Sequence, residues 1–382
     1  MKLLVKTLFG LEEVLAREIE ELGGKEIQPI KRGVSFIGSK ELLYKSNLHL
    51  RTALRVLQPI HIFKAKNEKQ LYDKVKAIDW SWYFDSSQTF AIDSIVFAEH
   101  FTHSNFPSLK MKDAIADQFR EKEGKRPSID KVNPDIRLNL HVSHETCTIS
   151  LDSSGDSLHK RGYRRGGTHA APLNEVLAAG LVLLSGWDKQ SPFIDPMCGS
   201  GTIAMEAAMI ARNMPAGIKR KEYAFMKWKN YDPELWQRIY DEGVNEMRPV
   251  APKLITAADQ SNTAVELCKM ASLDFELDRE IEVFRKGFKR LLPISSSGTL
   301  IMNPPYGQRL HENELFALYS MIGDQLKQQY TGFDAWIFSG NPEALKHVGL
   351  KTSKRVHLLN GALECKFHHY SMYKGSKKQS RE

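Results

Sequence analysis

No apolar stretch in this 382-residue chain approaches the roughly 18 to 20 residues that a membrane-spanning helix needs. The first residues, Met1-Lys2-Leu3-Leu4-Val5-Lys6, run straight into a charged amphipathic pattern. They lack the apolar core and small-residue cleavage site of a secretory leader, so a cytoplasmic protein with no membrane partner is expected. Cysteine is scarce: Cys147, Cys198, Cys268 and Cys365 stand far apart with no metal-type spacing. Free thiols in a reducing compartment and no bound metal follow. The histidines, the pair His368-His369 included, show no grouping with carboxylates. No internal repeat is visible.

What is present is ordinary for a soluble globular protein, with 42% apolar and 26% charged residues. The length suits two domains. A formal net charge of +8 favours polyanionic partners, because binding releases condensed counterions. The positive charge clusters at His159-Lys160-Arg161-Gly162-Tyr163-Arg164-Arg165 and in the tail from Lys374 to Arg381. Lys160, Arg161, Arg164 and Arg165, with Lys110 on an earlier amphipathic helix, are the candidate phosphate contacts.

The first 50 residues read as strand, helix, strand, helix, with Gly23-Gly24 stopping the first helix. From 51 to 155 the pattern is α+β. Glu68 to Ile78 and Lys110 to Lys122 have helical spacing, and Thr89 to Val96 alternates as a strand. Ile136 to Val142 and Cys147 to Leu151 alternate with period two across four residues, which predicts a hairpin. A connector rich in glycine and arginine follows, and Pro172 is placed to open a helix running to Ser185. From Ser191 strands alternate with helices, the pattern of a doubly wound parallel sheet. The stretch 213–253 interrupts it with Tyr223, Phe225, Trp228, Tyr231, Trp236 and Tyr240. These aromatics could stack unpaired bases; helical packing over the sheet is the preferred expectation. The boundaries so read are an N-terminal region 1–50, a second module 51–155, a linker and helix 156–190, an α/β domain 191–373 and a disordered basic tail 374–382.

Two loops carry the chemistry. Phe193-Ile194 runs into Asp195-Pro196-Met197-Cys198-Gly199-Ser200-Gly201-Thr202, a glycine turn that opens a helix. Glycines let a backbone approach a ligand, and open α/β sheets bind ligands at the carboxyl ends of their strands. The turn has neither the last glycine of the dinucleotide fingerprint nor a P-loop lysine. Asp259 ends the next strand, where a carboxylate can take both hydroxyls of a ribose or cap the helix that follows. The second loop is Asn303-Pro304-Pro305-Tyr306, after the apolar run Thr299 to Met302. An exocyclic amine on a base is a poor nucleophile, because its lone pair is delocalised. The Asn303 side-chain oxygen and the Pro304 carbonyl could each accept one of its N–H groups and turn the lone pair toward a methyl donor. Two prolines stiffen the loop and offer no competing N–H. Tyr306 can stack on the base, which must be unpaired or flipped out.

Taken together, Asp195 to Thr202 and Asn303 to Gly307 resemble the THUMP-containing RNA methyltransferases that use S-adenosylmethionine. Leu158 to Arg164 with Ala171 to Ala178 is similar to the segment joining the two halves of those enzymes, and Asn360 to Cys365 to their closing segment. The resemblance is greatest to the bacterial enzymes that methylate guanine N2 in 23S ribosomal RNA, and it spans nearly the whole chain. It implies a ferredoxin-like piece and a THUMP module ahead of a class I, Rossmann-like methyltransferase domain. It implies that Asp195, Met197, Gly199, Gly201 and Thr202 line the methionine end of the donor, that Asp259 holds its ribose and that Asn303 to Tyr306 hold the base. Family members often carry an acid where Lys286-Gly287-Phe288-Lys289 stands here, so Phe288 is expected to pack against adenine instead. The alternatives are a tRNA guanine-N2 or adenine-N6 enzyme and, in another class, an inactive RNA-binding assembly factor.

Overall fold

The computed structural model describes residues 1–98, 101, 106–164, 172–306 and 311–373. The chain forms two compact units: Met1–Thr7, Ala16–Leu158 and Arg220–Asp241 make the first, and Leu8–Leu15, His159–Lys219 and Glu242–Glu382 the second.

The first unit is built on an eight-stranded sheet. In chain order its elements are β1 (Lys2–Lys6), α1 (Glu12–Glu21), β2 (Lys25–Ile30), β3 (Gly33–Ile37), α2 (Lys40–His49), β4 (Arg55–Lys64), α3 (Glu68–Lys76), β5 (Thr89–Phe97), α4 (Phe106–Glu123), β6 (Ser128–Ile129), β7 (Ile136–Ser143) and β8 (Thr146–Asp152). The strand order is β2-β3-β1-β4-β8-β7-β5-β6. The ten-residue strand β4 joins the two halves, pairing antiparallel with β1 on one side and β8 on the other. Pro59 lies within β4, where it can give no ladder hydrogen bond; the register shifts between Pro59 and His61, the kind of irregularity that tolerates it. The expected hairpin forms from β7 and β8. Its turn is only His144-Glu145, with His144 in the left-handed region at φ 51°. Strand β2 was not expected, and its residues are nearly all exposed on the sheet edge, so no apolar alternation marks it.

The second unit begins with α5 (Glu175–Ser185), β9 (Phe193–Asp195) and α6 (Thr202–Ala211). Helix α5 starts later than Pro172 suggests, because the Asn174 side chain accepts from the Val176 and Leu177 amides and caps it. The chain then crosses into the first unit for residues 220–241, which carry most of α7 (Pro233–Asn245). The aromatics there are core. Tyr44 of α2 stacks on Phe225 at 4.3 Å between ring centroids, and Trp236 meets both rings edge-on. They pack in the first unit, which corrects the expectation that they cover the parallel sheet. Apolar rings gain most by closing the core nearest to them, and α2 supplies it.

The second unit continues with β10 (Ile255–Asp259), α8 (Asn262–Asp274), β11 (Ile281–Arg285), β12 (Gly298–Met302), α9 (Glu312–Gln329), β13 (Phe333–Ser339), α10 (Pro342–Lys346), β14 (Lys354–Asn360) and β15 (Leu363–Ser371). The order is β11-β10-β9-β12-β13-β15-β14, with β15 antiparallel to both of its neighbours and the others parallel. The chain winds outward from β9 through β10 and β11, then returns to β9's other side with β12. The carboxyl ends of β9 and β12 therefore flank the point where the winding reverses, the place where open sheets hold ligands.

Candidate active site

Strand register brings the two loops together. Asp195 on β9 pairs with Ala257 on β10. Leu300 on β12 pairs with Ile194, so Ile301 stands level with Asp195. Asp259 and Asn303 thus each lie two residues beyond Asp195, on the strands to either side. At usual strand spacings they straddle it at roughly 10 Å from one another at the Cα level.

The glycine turn is tied to β10. The Cys198 amide donates to Ala258 O at 2.9 Å, and the Gly199 amide to Asp259 Oδ2 at 3.0 Å. Asp259 Oδ1 accepts from the Ser261 amide at 2.8 Å. Ser261 caps α8 by accepting from Ala264, so the cap alternative for Asp259 is corrected. The two glycines serve different ends. Gly199 sits at φ 52°, and apart from its chain neighbours no described residue comes within 4 Å of where a Cβ would be. Gly201 sits at φ 84° as the N-cap of α6, and a Cβ there would collide with Cys268 Sγ on α8. Met197 is half-buried against the core that contains Leu300 and Met302. The Thr202 hydroxyl accepts from Arg164 Nη2 at 3.3 Å.

Asp195 is 0% exposed, and among the described residues neither carboxylate oxygen has a hydrogen-bond partner. Burial, reinforced by the Asp259 charge, pushes its pKa up to about 8. The Ala204 and Met197 amides pull the other way, but neither closes a hydrogen bond of ordinary geometry. A buried acid left without partners stores free energy that a cationic or hydrogen-bonding ligand can release.

Asn303 follows β12 directly. Its Oδ1 is buried and has no donor among the described residues. Tyr306 is held in place: Asn360 Nδ2 donates to its hydroxyl at 3.0 Å, and its ring meets Phe338 edge-on at 6.2 Å. A Cβ at Gly340 would come within 3.1 Å of the Tyr306 ring. Asn360 is the last residue of β14, paired with Leu363 across the two-residue turn Gly361-Ala362, where Gly361 takes φ 63°; the end of this hairpin thus braces the loop after β12. Sequence reasoning singled out this segment without finding that role; the glycine after Asn360 was its only signal.

Three expected contacts fall elsewhere. The Phe288 ring is 3% exposed in the core, 5.4 Å from the Tyr330 ring, so it is a packing residue and not a surface for adenine. Arg161 is 2% exposed, and its Nε lies 3.4 Å from Glu206 Oε1 on α6, which also accepts from the Tyr163 hydroxyl at 3.0 Å. Arg164 pairs with Glu175 at 3.2 Å and donates to Leu173 O. Both arginines brace α5 and α6 from within, because a buried carboxylate demands a cation; neither is free to meet a phosphate. Burial lifts the Glu175 pKa to about 7, against the pull of Arg164. Lys160 is exposed. Lys110, in the first unit, lies 5.4 Å over the Phe106 ring and lines a cavity with Lys112, Arg120 and Arg126. Arg165 and Gly307 lie outside the described residues. Among the described residues, no three His, Cys, Asp or Glu side chains group as metal ligands would, and no helix is long and apolar enough to cross a membrane.

Comparison with known proteins adds a family. Residues 161–369 match the family described as RMKL-like, methyltransferase domain; residues 65–152 match the THUMP domain and residues 2–57 the RlmL ferredoxin-like domain. A Synechocystis protein described as an RNA methyltransferase is 38% identical over 95% of both chains. The ribosomal RNA large subunit methyltransferase K/L of Syntrophotalea carbinolica is 39% identical over 94% of this chain, which spans 52% of that longer protein. Among solved structures, SMU.472, determined with SAH bound, superposes with a TM-score of 0.88 at 26% identity, covering 98% of this chain and 99% of that one. A Clostridium difficile 630 structure described as a methylase gives 0.89 at 29% identity, covering 98% and 99%.

Proposed function

Since the chain belongs to the THUMP-containing, RlmL-like methyltransferase family, we propose that it methylates the exocyclic N2 of a guanine in 23S ribosomal RNA. It is an RNA methyltransferase, and S-adenosylmethionine is its methyl donor. The fold is a ferredoxin-like and THUMP region joined to a Rossmann-like methyltransferase domain.

The residues fit the donor. Asp195 offers two buried oxygens without partners to a cationic ligand, Met197 and Gly199 border the open side of the turn, and Asp259 has lone pairs to spare beyond its two amides. Gly201 and Thr202 serve by setting the start of α6. When bound, the donor supplies a methyl group already activated on a sulfonium.

The observation that carries the reading is Asn303 Oδ1, a buried acceptor with no donor among the described residues, one strand away from that turn. It and the Pro304 carbonyl accept hydrogen bonds from the two N–H groups of a flat exocyclic amine and hold the nitrogen toward the donor. Tyr306, fixed by Asn360, offers a ring to the base. Positioning then accounts for most of the rate, since no strong base is needed before transfer. The same grip suits adenine N6, and a Listeria monocytogenes structure described as an N6-adenine-specific DNA methylase is 26% identical over 97% of this chain and 96% of that one. The THUMP match favours RNA over DNA. Guanine rests on the likeness to the ribosomal enzymes.

Nucleoside mass spectrometry of rRNA and tRNA from a deletion strain decides among these. Loss of N2-methylguanosine from 23S rRNA supports the proposal. Loss from tRNA alone, or loss of N6-methyladenosine, replaces it, and an unchanged profile overturns it.

A further inference from the structure

Arg161 and Arg164 are engaged inside the methyltransferase unit, so its surface for a polyanion must come from elsewhere. Four other cations stand together at the carboxyl end of its sheet. Arg285 ends β11, and Lys286, Lys289 and Arg290 follow directly. All four are exposed, and none of their side chains has an ion-pair partner among the described residues. No Asp or Glu occurs from Val283 to His311, the longest acid-free run of the chain, and the Asn303 loop lies in the same run. Acids on the neighbouring elements are already taken. Asp259 is held by two amides, Glu282 lies 2.7 Å from Lys253, Glu266 3.5 Å from Lys269 and Asp324 3.8 Å from Lys327. The side chain against Gly287 is the neutral Gln260.

The segment holds these charges in place. Phe288 and Leu291 are buried in the core, and Lys289 and Arg290 stand exposed between them. Leu291 O accepts from Gln325 Nε2 at 3.2 Å and from the Tyr330 hydroxyl at 3.0 Å. The Lys286 amide donates to Asp259 O at 2.9 Å, which ties the segment to the end of β10. Like charges fixed together without counter-charges are costly for the protein alone and favourable once a polyanion covers them.

We propose that Arg285, Lys286, Lys289 and Arg290 hold the phosphates of the RNA strand whose base enters at Asn303. The proposal rests on the RNA reading above and adds where the backbone runs. Strand register supports it. Arg285 pairs with Asp259, so it stands level with Asn303 at the same end of the sheet, three strands across. At usual strand spacing that is about 14 Å, a span of a few nucleotides.

The test measures affinity for a labelled oligouridylate across a salt series, alongside methyl transfer to unmodified rRNA. The variants are the double change Lys289→Ala with Arg290→Ala, and the charge-preserving pair Lys289→Arg with Arg290→Lys. The alanine pair should weaken binding roughly tenfold at low salt and flatten the slope of log K against log salt by about 1.4, two single-strand phosphate contacts. It should raise the KM for rRNA while donor affinity, read by calorimetry, stays that of the parent. The charge-preserving pair should keep the parent's slope. An alanine pair with the parent's slope, or one that loses donor affinity in place of RNA affinity, overturns the phosphate role and leaves the RNA reading intact. A parent protein with neither salt-dependent affinity nor transfer overturns both.

Discussion

Replacing Asp195 with asparagine should make the free protein more stable and the donor site poorer. The carboxyl is fully buried without hydrogen-bond partners among the described residues, and burial holds its pKa at about 8 against about 3.9 in an unfolded chain. The sign follows from proton counting. Between those two values the folded form binds more protons than the unfolded one, so stability falls as pH rises through this window. The penalty is small at pH 5 and grows to a few kcal/mol by pH 7, at about 1.4 kcal/mol per pKa unit. Asparagine keeps the shape without the charge, although its amide also goes unpartnered, so the net gain at pH 7 is roughly 2 to 4 kcal/mol. Urea denaturation of parent and variant from pH 5 to pH 8 measures it. Glu175, lifted to about 7, adds a slope of the same sign to both proteins and cancels in the difference. In the same proteins, Asp195 gives up its proton when a cation settles beside it, so donor binding near pH 7 should release close to one proton in the parent and none in the variant. Calorimetry in buffers of different ionisation enthalpy reads that number. A stability difference that stays flat or shrinks from pH 5 to pH 8, or equal proton release from the two proteins, refutes the reasoning.

Asn303→Ala should lower the transfer rate by about a hundredfold or more while RNA affinity stays near the parent's; a normal single-turnover rate would remove the amine grip. Asn360→Leu removes the Nδ2 donor from the Tyr306 hydroxyl and should raise the KM for RNA while leaving donor affinity unchanged, and a variant with parental KM would make that bond incidental. Arg161→Ala leaves Glu206 buried without its cation and should cost about 3 kcal/mol of stability without changing the salt slope of RNA binding; a flattened slope at full stability would return Arg161 to the surface role. Gly201→Ala should destabilise the fold through both the collision with Cys268 and the left-handed backbone, and Cys268→Ala in the same chain should recover part of the loss in a thermal melt.

The methyltransferase sheet was legible because its strands are apolar runs broken by glycine and proline, and the loop after β12 was legible because Asn303 and its two prolines are rare together. Strand β2 was not, since an exposed edge needs no apolar face. The arginines of the connector were misread for a related reason. Charge is visible in one segment, but whether it meets water or Glu206 depends on a residue some forty positions on that only the fold brings near. Phe288 was assigned by its place in a motif, and the core around Tyr330 claims its ring. The aromatic stretch was correctly expected to pack, yet nothing local says that its partner is Tyr44, nearly two hundred residues earlier.

The dependence of the first unit on residues 220–241 has a consequence for synthesis. A nascent chain that has just emerged through Leu158 has all eight strands of the sheet but not the rings that stack on Tyr44. Helix α2 must wait, with apolar surface bared, while the connector, the glycine turn and α6 are translated. The RNA-handling half therefore matures only after the start of the catalytic half has left the ribosome, and the two ripen as one product rather than in turn.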